Sequence, residues 1–514
     1  MGVIGLLGSG CGKGLSPVPN LPTKESLSVG KPTSSEDSSS TQSTEKKETS
    51  EKKDTGSSTP AAEAQQEAGE TPLVNSNLLS TTLSDTVASS FKLNATWGKN
   101  ATLCLILGYS SPDTVTGYQF AYSTNGHTLT QSASHDLSST LKPLKAYAVW
   151  SINGCAFGGV LSANSKIRLI PPNPAPPPAL LSPITQIELE WTDVSQLYAL
   201  NAWDGYESVV TQVMGRTTTA GVRQVAASYD LTTQAAKGST TYSGTGNADI
   251  SGAPVFDEPF FTTGTTVLVG AFVSTGNFVP VTLTLTSATS SASVGSGSTV
   301  LPSPCTIADL AHAALAAYPL NNATPSSSAM KYVLILDTGG STRCLVGLHS
   351  VLTGGFKLLT SYVDTAQAKP QVRIIENRSG TVNALLGFLQ TSTGSTRLKI
   401  SKLNMAAMTL SQETTLGDGV VQYRLISKPS AEKAFVVWMQ GTSLSNRKVY
   451  LARFQNGEWG EPKAISAGQG FGWLDSVFQA ELESTLDVVM VVLARKDTSA
   501  SSSSTQVQVK LFSF

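Results

Sequence analysis

The stretch Lys433–Ser466, KAFVVWMQGTSLSNRKVYLARFQNGEWGEPKAIS, decides the fold class. Three short runs in it have β-type composition, Ala434–Gln440, Lys448–Phe454 and Trp459–Ile465. The connections are rich in Gly, Ser and Asn. Asn456-Gly457 is a preferred dipeptide for a two-residue hairpin turn, because both central residues need positive φ. Such a meander has two faces and cannot bury both by itself. It predicts neighbours of its own kind.

The neighbours are legible. Leu385–Thr393, LLGFLQTST, aligns with Phe435–Ser443, FVVWMQGTS, placing Phe388 on Trp438 and Gln390 on Gln440. Leu398–Asn404 then falls near Lys448–Phe454. Downstream, Met490–Arg495 and Val507–Phe514 repeat the first two runs, and weaker copies start near Val209, Val267 and Tyr332. The spacing gives about six units at a pitch of roughly 50–60 residues, the range of propellers and repeat arrays. Units made only of strand-type runs favour a propeller over a solenoid.

Val437-Trp438 followed by Asn456-Gly457-Glu458-Trp459-Gly460-Glu461-Pro462 resembles a blade of the sialidase-like β-propellers found in bacterial envelope proteins. The Asp-box of that family, Ser-x-Asp-x-Gly-x-Thr-Trp, is absent. The resemblance implies six blades over residues 184–514, with seven as the alternative. First strands are expected near Leu197–Trp203, Pro254–Phe260, Gln371–Asn377, Gln422–Lys428 and Ser476–Glu481. Ala308–Tyr318 reads as helical and interrupts the pattern.

Residues 86–170 carry a second pattern. Leu103, Leu105, Leu107 and Tyr109 alternate as a half-buried strand does, and Val115–Tyr122 alternates again. Tyr118 in the second run, and Leu141, Pro143 and Tyr147 in the order L-x-P-x-x-x-Y, resemble a fibronectin type III domain. That resemblance implies a two-sheet sandwich with a tyrosine corner at Tyr147. The competing reading makes these strands two further propeller units. The proline-dense segment within residues 171–183 is expected to be an extended linker. The fold class is therefore all-β, a fibronectin type III-like sandwich followed by a six-bladed β-propeller.

Composition excludes some functions. Charged residues make up 14% and the net charge is −1, so no basic surface for nucleic acid is expected. No apolar run reaches the length of a spanning helix. The four histidines, His127, His135, His312 and His349, are not at metal-ligand spacing, so neither a metal nor a cofactor is expected. Cys104, Cys155, Cys305 and Cys344 allow three pairings. Cys104 with Cys155 would lie within the sandwich and Cys305 with Cys344 within one propeller unit. Buried free thiols are the alternative.

The N-terminus reads MGVIGLLGSGCGKG. Neither a phosphate loop nor a dinucleotide loop fits, since Leu7 and Gly14 break the first and Lys13 the second, and no helix pattern follows. An apolar stub, then small residues, then Cys11 resembles the end of a bacterial lipoprotein signal peptide, with residues 1–11 as the signal segment and Cys11 as the lipidated residue. Residues 12–82, rich in Ser, Thr, Glu and Lys, are expected to form a disordered tether.

Ligand residues are expected at the mouth of the central funnel, the main concavity of a propeller. Arg373 and Arg424 lie 51 residues apart at matching places in their units, and Tyr423, Glu376, Asp204, Asp257 and Glu258 lie on or beside inner strands. An arginine pair can hold a carboxylate bidentately. No third arginine is in register and no acid and nucleophile pair is recognisable. The reading is a cell-envelope protein, lipid-anchored to the outer membrane or cell surface, whose propeller recognises a glycan, peptide or protein. A divergent sialidase-like glycoside hydrolase is the alternative. One further expectation concerns the ends: Ile187–Trp191 should pair beside Val507–Phe514 and latch the propeller.

Overall fold

In the computed structural model every regular element among the described residues is a β-strand, and these strands group into eight antiparallel sheets. The structure describes the strands from residue 71 onwards and the short turns adjoining them. Residues 1–70 and the longer connections lie outside the described residues. Cys11, Asp204, Asp257, Glu258 and Cys305, named above, are among those outside.

The first strand, β1 (Val74–Thr82), belongs to the last sheet. The first sheet is a meander of β2 (Lys92–Gly98), β3 (Thr102–Ser110), β4 (Asp113–Ser123) and β5 (Thr128–Asp136). The second holds β6 (Leu144–Ser151), β7 (Cys155–Leu161), β8 (Ile167–Ile170) and β9 (Ile187–Leu189). The third holds β10 (Leu197–Leu200), β11 (Val210–Gly215), β12 (Arg223–Asp230) and β13 (Ala235–Tyr242). In the fourth, β14 (Ile250–Phe256) and β15 (Phe260–Thr262) both pair with β16 (Thr265–Ser274), followed by β17 (Asn277–Thr286) and β18 (Ser290–Val294). The fifth holds β19 (Ala314–Pro319), β20 (Met330–Asp337), β21 (Thr342–Leu348) and β22 (Lys357–Val363).

The sixth holds β23 (Gln371–Glu376), β24 (Val382–Ser392), β25 (Ser395–Asn404) and β26 (Thr409–Asp418). The seventh runs β27 (Val420–Lys428), β28 (Lys433–Gln440) and β29 (Lys448–Gln455), with β30 (Glu458–Trp459) and β31 (Lys463–Ile465) both on the outer edge of β29. The eighth runs β32 (Phe471–Glu483), β33 (Val488–Asp497) and β34 (Ser504–Ser513), with β1 outermost.

Consecutive sheets meet mainly through their first strands. β2 touches β6, β6 touches β10, β14 touches β19, and the series β19, β23, β27, β32 returns to β2. Sheets three and four meet through β13 and β18. Repeated meanders whose first strands follow one another in this way define a β-propeller architecture. Residues Gln65–Phe514 form a single unit by their contacts.

Packing explains the composition of the opening stretch. In β28, Ala434, Val436 and Trp438 enter a core shared with Leu385, Leu389, Leu398 and Ile400 of sheet six. Phe435, Val437 and Met439 enter the next core, with Val489, Val491, Leu493 and Phe512 of sheet eight. Both faces are covered, so the strand is apolar without alternation. Each large side chain so buried contributes about 1.5–3 kcal/mol. The outer strand β26 instead alternates between exposed and half-buried residues. The other face of sheet eight packs on sheet one, where Met490, Val492, Val509 and Val74 meet Leu103, Leu105, Phe120 and Tyr122.

Several expectations are corrected. Residues 92–189 form two meanders rather than a sandwich. A fibronectin sandwich places the strand of the tyrosine corner beside the strand carrying Tyr118. Here β6 pairs with β7, and β4 pairs with β3 and β5. These two sheets raise the total to eight where six or seven are expected from the repeats. Over Ala314–Tyr318 the chain is extended, where the alanine-rich composition predicts helix. Ile187–Leu189 pairs with β8, whereas β34 takes β1 as its outer partner, from Val74↔Leu511 to Thr82↔Ser504. The last residues of the expected tether thus form a strand, since the segment carries Leu73 and Val74 into the core at that edge. The run Trp459–Ile465 is split at Pro462, which has no N–H to donate.

Candidate functional site

The expected funnel residues divide by the face they occupy. Arg373 lies on β23 opposite Leu385, and Arg424 on β27 opposite Val437. Directly opposed residues share a face. Leu385 belongs to the core between sheets six and seven, and Val437 to the core between seven and eight. The two arginines are therefore half-buried in successive interfaces. Arg373 Nη1 donates to the Val372 carbonyl at 2.8 Å.

Tyr423 is a core residue, 3% exposed. Its hydroxyl donates to the Gly387 carbonyl of the neighbouring sheet at 2.5 Å. Glu376 closes β23 opposite Val382, and its side chain lies outside the described residues. Asp204, Asp257 and Glu258 lie outside them altogether.

The Gln371 amide joins the first strands of sheets six and seven. Its Nε2 donates to the Tyr423 carbonyl and its Oε1 accepts from the Leu425 N–H, each at 2.8 Å. This satisfies main-chain groups on an inner edge that has no ladder partner.

The described concavity of interest lies elsewhere, between β25–β26 of sheet six and the β29–β30 hairpin of sheet seven. It is a cleft of about 350 Å³ lined by Lys402, Gln412, Glu413, Phe454, Glu458 and Trp459, among others. Local sequence builds each wall. On one side, Asn456 at φ 56° and Gly457 at φ 87° make the tight turn that sets Glu458 and Trp459 beside Gln455 and Phe454. Trp459 and Phe454 meet at a ring-centroid distance of 5.3 Å and a tilt of 57°.

On the other side β26 is bulged. Ile400 pairs with Thr414 and Lys402 with Ser411, so Gln412 and Glu413 together oppose Ser401. Gln412 adopts φ 50°, a conformation that non-glycine residues seldom take. A bulge of this kind re-aims side chains, and here Gln412, Glu413 and Thr414 line the cleft.

The charges in the cleft are mostly paired. Lys402 Nζ lies 3.4 Å from Glu432 and 5.9 Å from the centre of the Phe454 ring. Glu413 pairs with Lys399. Glu458 is exposed and makes no ion pair among the described residues. The cleft therefore offers an aromatic wall, two carboxylates, an amide and a partnered ammonium.

Among the described residues no group of three His, Cys, Asp or Glu could hold a metal ion, and no helix is long and apolar enough to cross a membrane. Cys104 of β3 is disulfide-bonded to Cys155 of β7, which ties sheet one to sheet two rather than closing a sandwich. Cys344 is also disulfide-bonded. The cleft residues were hidden in the sequence. Trp459 and Glu458 read there as part of a blade signature, and nothing marks Gln412–Thr414 as a bulge.

No family model matches the sequence, and no curated protein matches it. Solved structures give distant likenesses. The Sqt1 protein of Chaetomium thermophilum, bound to the N-terminus of ribosomal protein L10, has a TM-score of 0.42 at 12% identity, covering 86% of this chain and 100% of that one. The intramolecular trans-sialidase of Ruminococcus gnavus has a TM-score of 0.30 at 12% identity, covering 85% and 98%. Hydrazine synthase of Kuenenia stuttgartiensis has a TM-score of 0.33 at 8% identity, covering 60% and 78%.

Proposed function

We propose that this chain is a recognition protein of the cell envelope or surface. Its propeller binds a glycan, peptide or protein, and Cys11 carries the lipid that anchors it to the membrane. The cleft between sheets six and seven carries the reading, because a concavity of about 350 Å³ with an aromatic wall and convergent polar groups is the form of a ligand site. The Cys104–Cys155 disulfide supports a location outside the reducing cytosol.

The alternative, a divergent sialidase-like hydrolase, needs one carboxyl as proton donor and a second as base or nucleophile. Glu413 and Glu458 both line the cleft, but Glu413 is engaged by Lys399. Recognition is the simpler use of these groups.

The purified full-length protein, screened against glycan and peptide arrays with glycoside hydrolysis assayed in parallel, tests the reading. Binding without turnover is expected, and turnover of any glycoside would replace recognition with hydrolysis. Palmitate labelling in bacteria, with a complete signal peptide supplied, should be lost in Cys11→Ala. Labelling that survives the substitution removes the anchor.

A further inference from the structure

Resting on the recognition reading, we infer that the cleft between sheets six and seven binds a non-acidic saccharide, with Trp459 as stacking platform and Glu458 as hydroxyl acceptor. The face of an aromatic ring carries the negative side of its quadrupole. The C–H face of a pyranose presents weakly positive hydrogens to such a surface, and few other soluble ligands offer a flat apolar face rimmed by hydroxyls. Trp459 is half-exposed at the rim, and buried Phe454 backs it at 5.3 Å.

The polar groups fit hydroxyls. An ionised carboxylate accepts only, through two oxygens, which suits adjacent sugar hydroxyls. Glu458 brings such a group to the same cleft as the ring, and the bulged strand adds Glu413 and the Gln412 amide from the facing wall. Gln412 holds φ 50° there, a strained position that the bulge imposes at the cleft itself.

Charge decides against acidic sugars. The Lys402 ammonium is already partnered by Glu432 at 3.4 Å. An incoming carboxylate would face Glu458 with no unpartnered cation among the cleft residues, since Glu413 is balanced by Lys399, and like charges across an interface are costly.

The test uses the full-length protein on an array holding neutral, amino and sialylated or uronic oligosaccharides, followed by titration calorimetry on the hits. Binding should concentrate on neutral or amino glycans. Trp459→Ala should weaken it at least tenfold while the protein stays folded with a somewhat lower melting temperature, and Trp459→Phe should keep the melting temperature and retain part of the binding. Glu458→Gln should weaken neutral-sugar binding and admit acidic glycans that the parent protein rejects. Preference of the parent protein for acidic glycans overturns the inference, as does undiminished binding by Trp459→Ala. Binding of peptides alone overturns it while leaving the recognition reading intact. Binding of neither class removes both.

Discussion

Tyr423 joins two sheets from within their shared core. It is buried against sheet six, and its hydroxyl reaches the Gly387 carbonyl. A Cβ at residue 387 would stand 2.8 Å from the Tyr423 ring, so glycine is what admits the ring. Tyr423→Phe should lower stability by about 1–3 kcal/mol, the cost of leaving a buried acceptor unpaired. Gly387→Ala should cost at least as much, because ring or strand must move. Chemical denaturation of the two variants checks this, and parent-like midpoints would return Tyr423 to the candidate ligand residues. His135 offers a titration. Burial pulls its pKa below the usual 6.5, so the folded state resists protonation that the unfolded chain accepts. Its contribution is fully present above about pH 6.5 and is lost as pH falls through the folded value. His135→Gln should flatten that part of a stability-against-pH curve, and an unchanged slope would contradict it.

At the scale of elements, the instructive strand is β1. It covers the outer edge of β34, and its Leu73 N–H donates to the Leu511 carbonyl at 2.7 Å. An uncovered edge leaves a row of unpaired main-chain groups open to association with other chains. A chain beginning at residue 71 should keep the melting temperature of the full chain. One beginning at residue 84 should melt lower and aggregate, as judged by calorimetry and light scattering. Equal melting of the two would show that β1 does not hold the last sheet. The β-meander character of Lys433–Ser466 was legible because Asn456-Gly457 specifies its own turn and both faces of β28 are apolar. In residues 92–170 the sequence pattern stops short of the topology, because alternation describes a strand but not its partner. Leu103, Leu105 and Leu107 alternate alike in a sandwich and in a propeller sheet. Alternation at Ile187–Trp191 does not identify the partner of β34; what distinguishes that partner is which segment supplies apolar residues for the core of sheets one and eight. The cleft was illegible for a similar reason. A bulge at Gln412 and a hairpin at Asn456-Gly457 become one site only when two sheets are brought together.

Over the whole molecule, stability comes from sheets buried on both faces, so each sheet depends on its neighbours. Sheet eight is tied to sheet seven by the Lys428–Asp487 ion pair and by Arg453, whose Nη2 donates to the Ser513 carbonyl at 2.8 Å. Phe514 stacks on Phe435 at 6.1 Å. Sheets one and two are tied covalently by Cys104 and Cys155, 51 residues apart in sequence. Cross-linking a loop of that length removes freedom from the unfolded chain worth about 4 kcal/mol in the chain-entropy treatment, an upper figure for what the bond contributes. Because β2 touches both β6 and β32, a weakened junction between sheets one and two should loosen sheet eight as well. Replacing both cysteines by serine should therefore lower the denaturation midpoint by up to that amount, and hydrogen exchange should quicken in β32 and β33 as well as in β3 and β7. Reduction of the parent protein should reproduce the shift. Faster exchange confined to β3 and β7 would mean that the sheets open independently, and the mutual dependence argued from their shared cores would fail.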